Sequence, residues 1–140
     1  QDSGLSDRLF LGGDSAGGNL AIAATKALCG RSACRPPAGV VLLSPWTDLS
    51  DKGAGWEHNE LDFIPHNLAQ VIARHYVGDV PVDDARVSPA LSDDWGPAFP
   101  PVLLDYGESE NFRPQIERMQ AAMLRGGVDV DARSEEGQIH

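Results

Sequence analysis

The sequence predicts an α/β fold, a parallel β-sheet covered by helices. Along its 140 residues, strand-like and helix-like runs alternate in the order strand, helix, strand, helix, strand, helix, strand. Such alternation requires crossover connections and hence parallel strands. The first three strand runs are continuously apolar, as parallel strands buried on both faces are. Between the first strand and the first helix lies a glycine-rich turn carrying a serine.

Residues 8–12 (RLFLG) are a short apolar run closed by glycines and read as a buried strand. Residues 16–29 (AGGNLAIAATKALC) are rich in Ala and Leu and long enough for a helix, with Gly30 as its stop. This helix is apolar nearly all round at its start, so other elements should cover it. After a loop at 35–39 (RPPAG), residues 40–43 (VVLL) are a second buried strand, ended by Pro45. Residues 46–65 read as irregular. In 67–76, Leu68, Val71, Ile72 and His75 share one face of a short amphipathic helix.

A loop with five prolines fills 78–101, a length that marks a functional segment or a packed lid. Residues 101–106 (PVLLDY) are the third buried strand. In 112–125, Phe112, Ile116, Met119 and Met123 recur at helical spacing, with Gly126 at the exit. Residues 128–133 (VDVDAR) alternate strictly, which predicts a half-exposed strand at a sheet edge. The sheet therefore runs from centre to edge, with no repeat and no linker dividing the chain.

Composition excludes several classes. The formal charge is −10, and an acidic surface repels phosphate backbones, so nucleic acid is not an expected partner. The longest apolar stretches are about five residues, far short of the roughly 18 that cross a membrane. Fifteen Gly and ten Pro make the chain turn-rich and argue against a helical bundle. Cys29 and Cys34 are too few for a disulfide framework and read as free thiols, with a small-loop disulfide between them as the alternative. The first residue is Gln1, and no Asn-x-Ser/Thr sequon occurs, so the compartment stays open.

The serine turn carries the chemistry. Gly13-Asp14-Ser15-Ala16-Gly17 matches G-x-S-x-G between a strand and a helix, where a nucleophile elbow belongs. A serine on that turn is strained, and Gly13 and Gly17 remove side chains that would crowd it. The Ala16 N–H, at the positive end of the helix, then faces the place where an oxyanion would form. Asp14 should point away and bond locally. No G-x-x-x-x-G-K-[ST] or G-x-G-x-x-G occurs, which argues against a phosphate loop.

An exposed serine needs a base, and the base needs an orienting carboxylate, in the chain order Ser, acid, His. His140 follows the last strand and is the expected base. Asp105, Glu108 and Glu110 all follow the third strand and are candidate acids, with Asp48 after the second strand as an alternative. His58 and His66 lie in or beside the irregular segment, and His75 on a helix face reads as packing or surface. Trp46, Trp56 and Phe63 are candidates to line an acyl pocket, or to pack core or lid.

These residues resemble the hormone-sensitive-lipase-like esterases and lipases of the α/β-hydrolase fold. Gly12-Gly13-Asp14-Ser15-Ala16-Gly17-Gly18-Asn19-Leu20 resembles the family's nucleophile segment, and Leu43-Ser44-Pro45-Trp46-Thr47-Asp48-Leu49 its post-strand segment. Ser88-Pro89-Ala90 and Pro100-Pro101-Val102-Leu103-Leu104 are similar to the stretch leading to the acid. Gly107-Glu108-Ser109-Glu110, Gly126-Gly127-Val128 and Gly137-Gln138-Ile139-His140 resemble the segment from acid to base.

The resemblance implies Ser15 as nucleophile, Glu110 as acid, His140 as base and Ala16 as an oxyanion donor. It implies a small-molecule carboxylic ester as substrate, with no metal and no organic cofactor; no HExxH or CxxC occurs. Many members have Asp where Glu110 stands, and an acidic residue where Pro114 stands. No HGGG-type oxyanion loop occurs in these residues. The expectation is therefore the carboxy-terminal half of the catalytic domain, with residues 1–140 running from nucleophile strand to catalytic histidine and inactive alone. Two other readings stay open: a ligand receptor on the same fold, and an amidase or deacetylase of small acylated molecules.

Overall fold

The computed structural model of the protein describes residues 8–50, 62 and 65–140. Four parallel strands form one sheet in sequence order: β1 (Phe10–Asp14), β2 (Gly39–Leu43), β3 (Val102–Gly107) and β4 (Val130–Glu135). Helix α1 (Ser15–Cys29) joins β1 to β2, and α3 (Arg113–Arg125) joins β3 to β4. The long β2–β3 connection holds α2 (His66–Val77) and a 3-10 turn at Pro89–Leu91. Each strand and helix expected from the sequence is present. β1 extends to Asp14 because Gly12 and Gly13, read as its terminators, stay in the ladder opposite Val41 and Leu42.

Register explains the core. Leu11, Val40, Val102 and Val130 form one row across the sheet, and Gly13, Leu42, Leu104 and Ala132 the next. Val40, Leu42, Val102 and Leu104 are buried there, as are Ile22 of α1 and Ile116, Met119 and Met123 of α3. The predicted apolar stripe of α3 is thus its inner face.

The other sheet face differs from the expectation of burial on both sides. Among the described residues it carries the rows Gly12–Val41–Leu103–Asp131 and Asp14–Leu43–Asp105–Arg133. Leu43 is 47% exposed and Phe10 59%. A shallow cavity of about 250 Å³ opens there against Phe10, Val41, Pro101 and Leu103. The apolar character of the strands outruns the cover that α1 and α3 give. β1, read as buried, is an edge strand alternating between exposed and half-buried. β4 is the opposite edge, as its alternating sequence predicts.

One further expectation is corrected. On α2 the buried residues are Ala69, Ala73 and Val77, whereas Leu68, Val71 and Ile72 are exposed. Small alanines let the helix approach closely, and the larger side chains fall on its outer side. The proline-rich stretch 78–101 is firmly packed. Trp95 and Phe99 are buried edge to face at 5.1 Å, and Lys26 of α1 sits 4.1 Å over the Trp95 ring while bonding Ser92 and Asp94. Ser88 Oγ accepts from Leu49 N–H at 2.8 Å and donates to the Val82 carbonyl at 2.6 Å, fastening the stretch to the loop after β2. Cys29 and Cys34 are free thiols, and partial burial raises the Cys29 pKa. No helix among the described residues is long and apolar enough to cross a membrane.

Candidate active site

Ser15 is the first residue of α1 and has φ 50°, one of two non-glycine residues with positive φ among the described residues. The other, Ser44 at φ 43°, lies at the corresponding end of β2. Such conformations cost about 1–3 kcal/mol each and persist where the surroundings impose them. The turn is imposed by close backbone packing. A Cβ on Gly13 would collide with the Gly17 backbone and come 2.8 Å from Gly18 N, and one on Gly18 would meet Pro45 Cβ at 2.7 Å. Gly17, expected to relieve crowding with its own missing side chain, has only Asp14 Oδ1 at 3.8 Å from such a Cβ. Its backbone is what forbids a side chain at Gly13. Asp14 caps α1 without a side-chain hydrogen bond, so the local bond expected of it is not made.

The structure brings three of the predicted residues together. His140 Nε2 lies 2.7 Å from Ser15 Oγ, and His140 Nδ1 lies 3.3 Å from Glu110 Oε2. As a carboxylate Glu110 can only accept, so Nδ1 carries the proton and the Nε2 lone pair faces the serine hydroxyl. Glu110 is 0% exposed, and its other oxygen, Oε1, has no hydrogen-bond partner among the described residues. Ala16 follows Ser15 in the first turn of α1 and lines an apolar recess of about 110 Å³ with Asn19, Leu20, Trp46, Leu49, Ile72, Ala73 and Tyr76. Larger cavities lie elsewhere, on the open sheet face and beside Lys26 and Asp94. Of the aromatic candidates for an acyl pocket, Trp46 lines this recess; Trp56 and Phe63 lie outside the described residues, as does His58.

The competing acids have other partners. Asp48 is buried and paired with Arg118 at 2.6 Å, and its Oδ1 accepts from Ser50 N–H and Oγ–H. Glu108 accepts from Ser134 Oγ at 2.9 Å, and Asp105 belongs to the open-face row with Leu43. His75 Nδ1 lies 2.8 Å from the Val71 carbonyl on the surface of α2, and His66 stands at its first turn.

Four supporting residues escaped the sequence reading. Asn19 Nδ2 donates to the carbonyls of Trp46 and Val87, both at 2.8 Å, tying α1 to two loops. Gln115 Oε1 accepts from Thr47 N–H at 2.7 Å and Asp48 N–H at 2.6 Å, tying α3 to the loop after β2. Asp62 Oδ2 accepts from Asn111 N–H at 2.7 Å, beside the acid. Phe112 packs edge to face on His140, with ring centroids 4.7 Å apart. The signal for Asn19 and Gln115 is a polar residue within an apolar helical stripe, three or four positions from Ile22 and Met119. Asp62 carries no comparable signal.

A positive-φ serine between a parallel strand and a helix, within reach of a histidine beyond the last strand, is the arrangement of the α/β-hydrolase fold. The chain belongs to that family: a family model described as alpha/beta hydrolase fold matches residues 1–140. Among individual proteins, it is 35% identical over 126 residues to an acetyl-hydrolase of Streptomyces hygroscopicus, covering 88% of this chain and 41% of that protein. It is 31% identical over 125 residues to an esterase of Acinetobacter venetianus, covering 87% of this chain and 40% of the relative. A crystal structure of an esterase from the bacterial hormone-sensitive lipase family superposes with TM-score 0.83 at 32% identity, covering 94% of this chain and 44% of that one. The chain therefore spans about two fifths of the length of these curated relatives.

Proposed function

We propose that the chain is the carboxy-terminal part of a serine hydrolase that cleaves carboxylic esters with short to medium acyl groups through an acyl-serine intermediate. The observation that carries this reading is the Ser15–His140–Glu110 relay, with spacings of 2.7 and 3.3 Å. His140 Nε2 takes the Ser15 proton as Oγ attacks the ester carbonyl. Glu110 holds the Nδ1–H tautomer and stabilises the imidazolium. The Ala16 N–H donates to the tetrahedral oxyanion, which then collapses as His140 protonates the leaving alcohol. Water repeats the sequence on the acyl-serine and releases the acid. The apolar recess beside Ala16 suits a short apolar acyl chain. The name of the Streptomyces relative favours acetyl groups within this class, and the same machinery serves a deacetylase.

Labelling of the full-length protein with a fluorophosphonate, followed by mass mapping, tests the proposal. Modification at Ser15 that disappears in His140→Ala is the expected result. An unlabelled, folded protein would replace the hydrolase reading with that of a ligand receptor.

A further inference from the structure

We propose that Phe112, backed by Trp46, is a positioning residue that fixes the plane of the His140 imidazole between Ser15 and Glu110. The inference rests on the triad reading above.

Hydrogen bonds hold the two ring nitrogens, and bonds along that line constrain the tilt of the ring about it only weakly. The bond to Glu110 is long at 3.3 Å, and Glu110 Oε1 has no partner among the described residues. The segment that carries the base is exposed over residues 133–139 and is tied by its backbone to the acid turn, Glu108 N–H donating to the Glu135 carbonyl at 3.0 Å and Ser109 N–H to the Gln138 carbonyl at 2.9 Å, while the His140 side chain is 6% exposed. From the side, the aromatic wall bounds the ring. Phe112 meets it at 4.7 Å and 78°, and Trp46 stacks on Phe112 at 5.4 Å and 10°.

Trp46 is itself anchored to the nucleophile. Its N–H donates to the Ser15 carbonyl at 3.0 Å, its carbonyl accepts from Asn19 at 2.8 Å, and its indole N–H donates to the Asp48 carbonyl at 3.0 Å. Phe112 stands two residues after Glu110 and forms the N-cap of α3. One stack thus refers the base to both the nucleophile turn and the acid turn.

The test uses the full-length protein with p-nitrophenyl butyrate as probe ester. A small misplacement of a catalytic group costs up to about 10²-fold in rate. Folded Phe112→Ala should lose kcat by about that factor with KM changed less than about twofold, the signature of an interaction made in the transition state. Phe112→Leu, which restores bulk at the wall, should recover most of the loss. The low-field His140 Nδ1 proton in NMR spectra should broaden in Phe112→Ala and return in Phe112→Leu. If Phe112→Ala does not fold, Phe112→Val carries the same comparison with a smaller loss.

Wild-type kcat in a folded small-residue variant, with the Nδ1 proton unchanged, overturns the proposal. Ser15→Ala separates the two claims, because it leaves the aromatic wall in place. Hydrolysis surviving Ser15→Ala sinks the triad, whereas an Nδ1 proton that still depends on residue 112 supports the wall independently.

Discussion

A carboxylate that is fully buried, with one oxygen on an imidazole and the other without a partner, is costly for a fold to keep. At Glu110 that cost is explained by the positive charge the proposed reaction creates on His140. Glu110→Gln removes the charge at the same volume and lets an amide present either an acceptor or a donor to Nδ1. We expect kcat for ester hydrolysis to fall by about 10³–10⁴-fold with the fold intact, as loss of the correct tautomer does in related triads. Steady-state kinetics beside circular dichroism decides it, and a loss under tenfold would remove Glu110 from the acid role. At this scale the places of Ser15 and His140 in the fold were legible in the sequence, because strand order and the glycine pattern fix where they stand. Which carboxylate meets His140 was not legible from order alone. Asp105, Glu108 and Glu110 all follow β3, and only side-chain direction separates them: Asp105 lies in the open-face row and Glu108 bonds Ser134. The resemblance, not spacing, singled out Glu110.

Between elements, polar clasps do what short loops do in simpler α/β chains. Lys26 and Ser92 hold the Asp94 carboxyl below the ordinary carboxylate range, the Lys26 hydrogen bond being the larger cause. A carboxyl depressed in the folded state stabilises above its unfolded pKa, about 3.9, and that contribution is lost as pH falls through the folded value. The stability difference between wild type and Asp94→Asn should therefore be full near about pH 7 and vanish in strong acid. A difference independent of pH would show that the clasp does not act through this charge. The pair of buried Asp48 with half-buried Arg118 ties the loop after β2 to α3. Arg118→Leu leaves a buried carboxylate without its countercharge and should destabilise by about 3 kcal/mol in chemical denaturation. Adding Asp48→Asn should recover much of that, and failure to do so would mean that Arg118 acts through packing. Element types were legible here because α3 and β4 carry clean periodicities. The orientation of α2 was not. Its face of Leu68, Val71 and Ile72 is the more hydrophobic, yet the alanines Ala69 and Ala73 are buried, since close approach favours small side chains that hydropathy ranks low.

For the whole molecule, the continuously apolar strands describe a sheet meant to be covered on both faces, while α1 and α3 cover one. Leu43 and Phe10 are exposed on the other, and β1 presents a free edge among the described residues. Unpaired apolar edges template association with other chains. With the share of its relatives that the chain spans, this supports the proposal that further chain completes both the sheet and the oxyanion site. The 140 residues expressed alone should then self-associate and bind a hydrophobic dye, and they should hydrolyse p-nitrophenyl butyrate at least about 10²-fold more slowly than the full-length protein, the typical cost of one lost oxyanion donor. Analytical ultracentrifugation with parallel kinetics measures both. A monomer that unfolds cooperatively and turns over at the full-length rate would mean that the open face is a true surface and that Ala16 suffices as donor. Phe10→Lys and Leu43→Lys sharpen the comparison. Placed on the open face, they should lower association of the isolated chain while disrupting the full-length protein, where the same positions are expected to be covered. If both substitutions are harmless in the full-length protein, that cover does not exist.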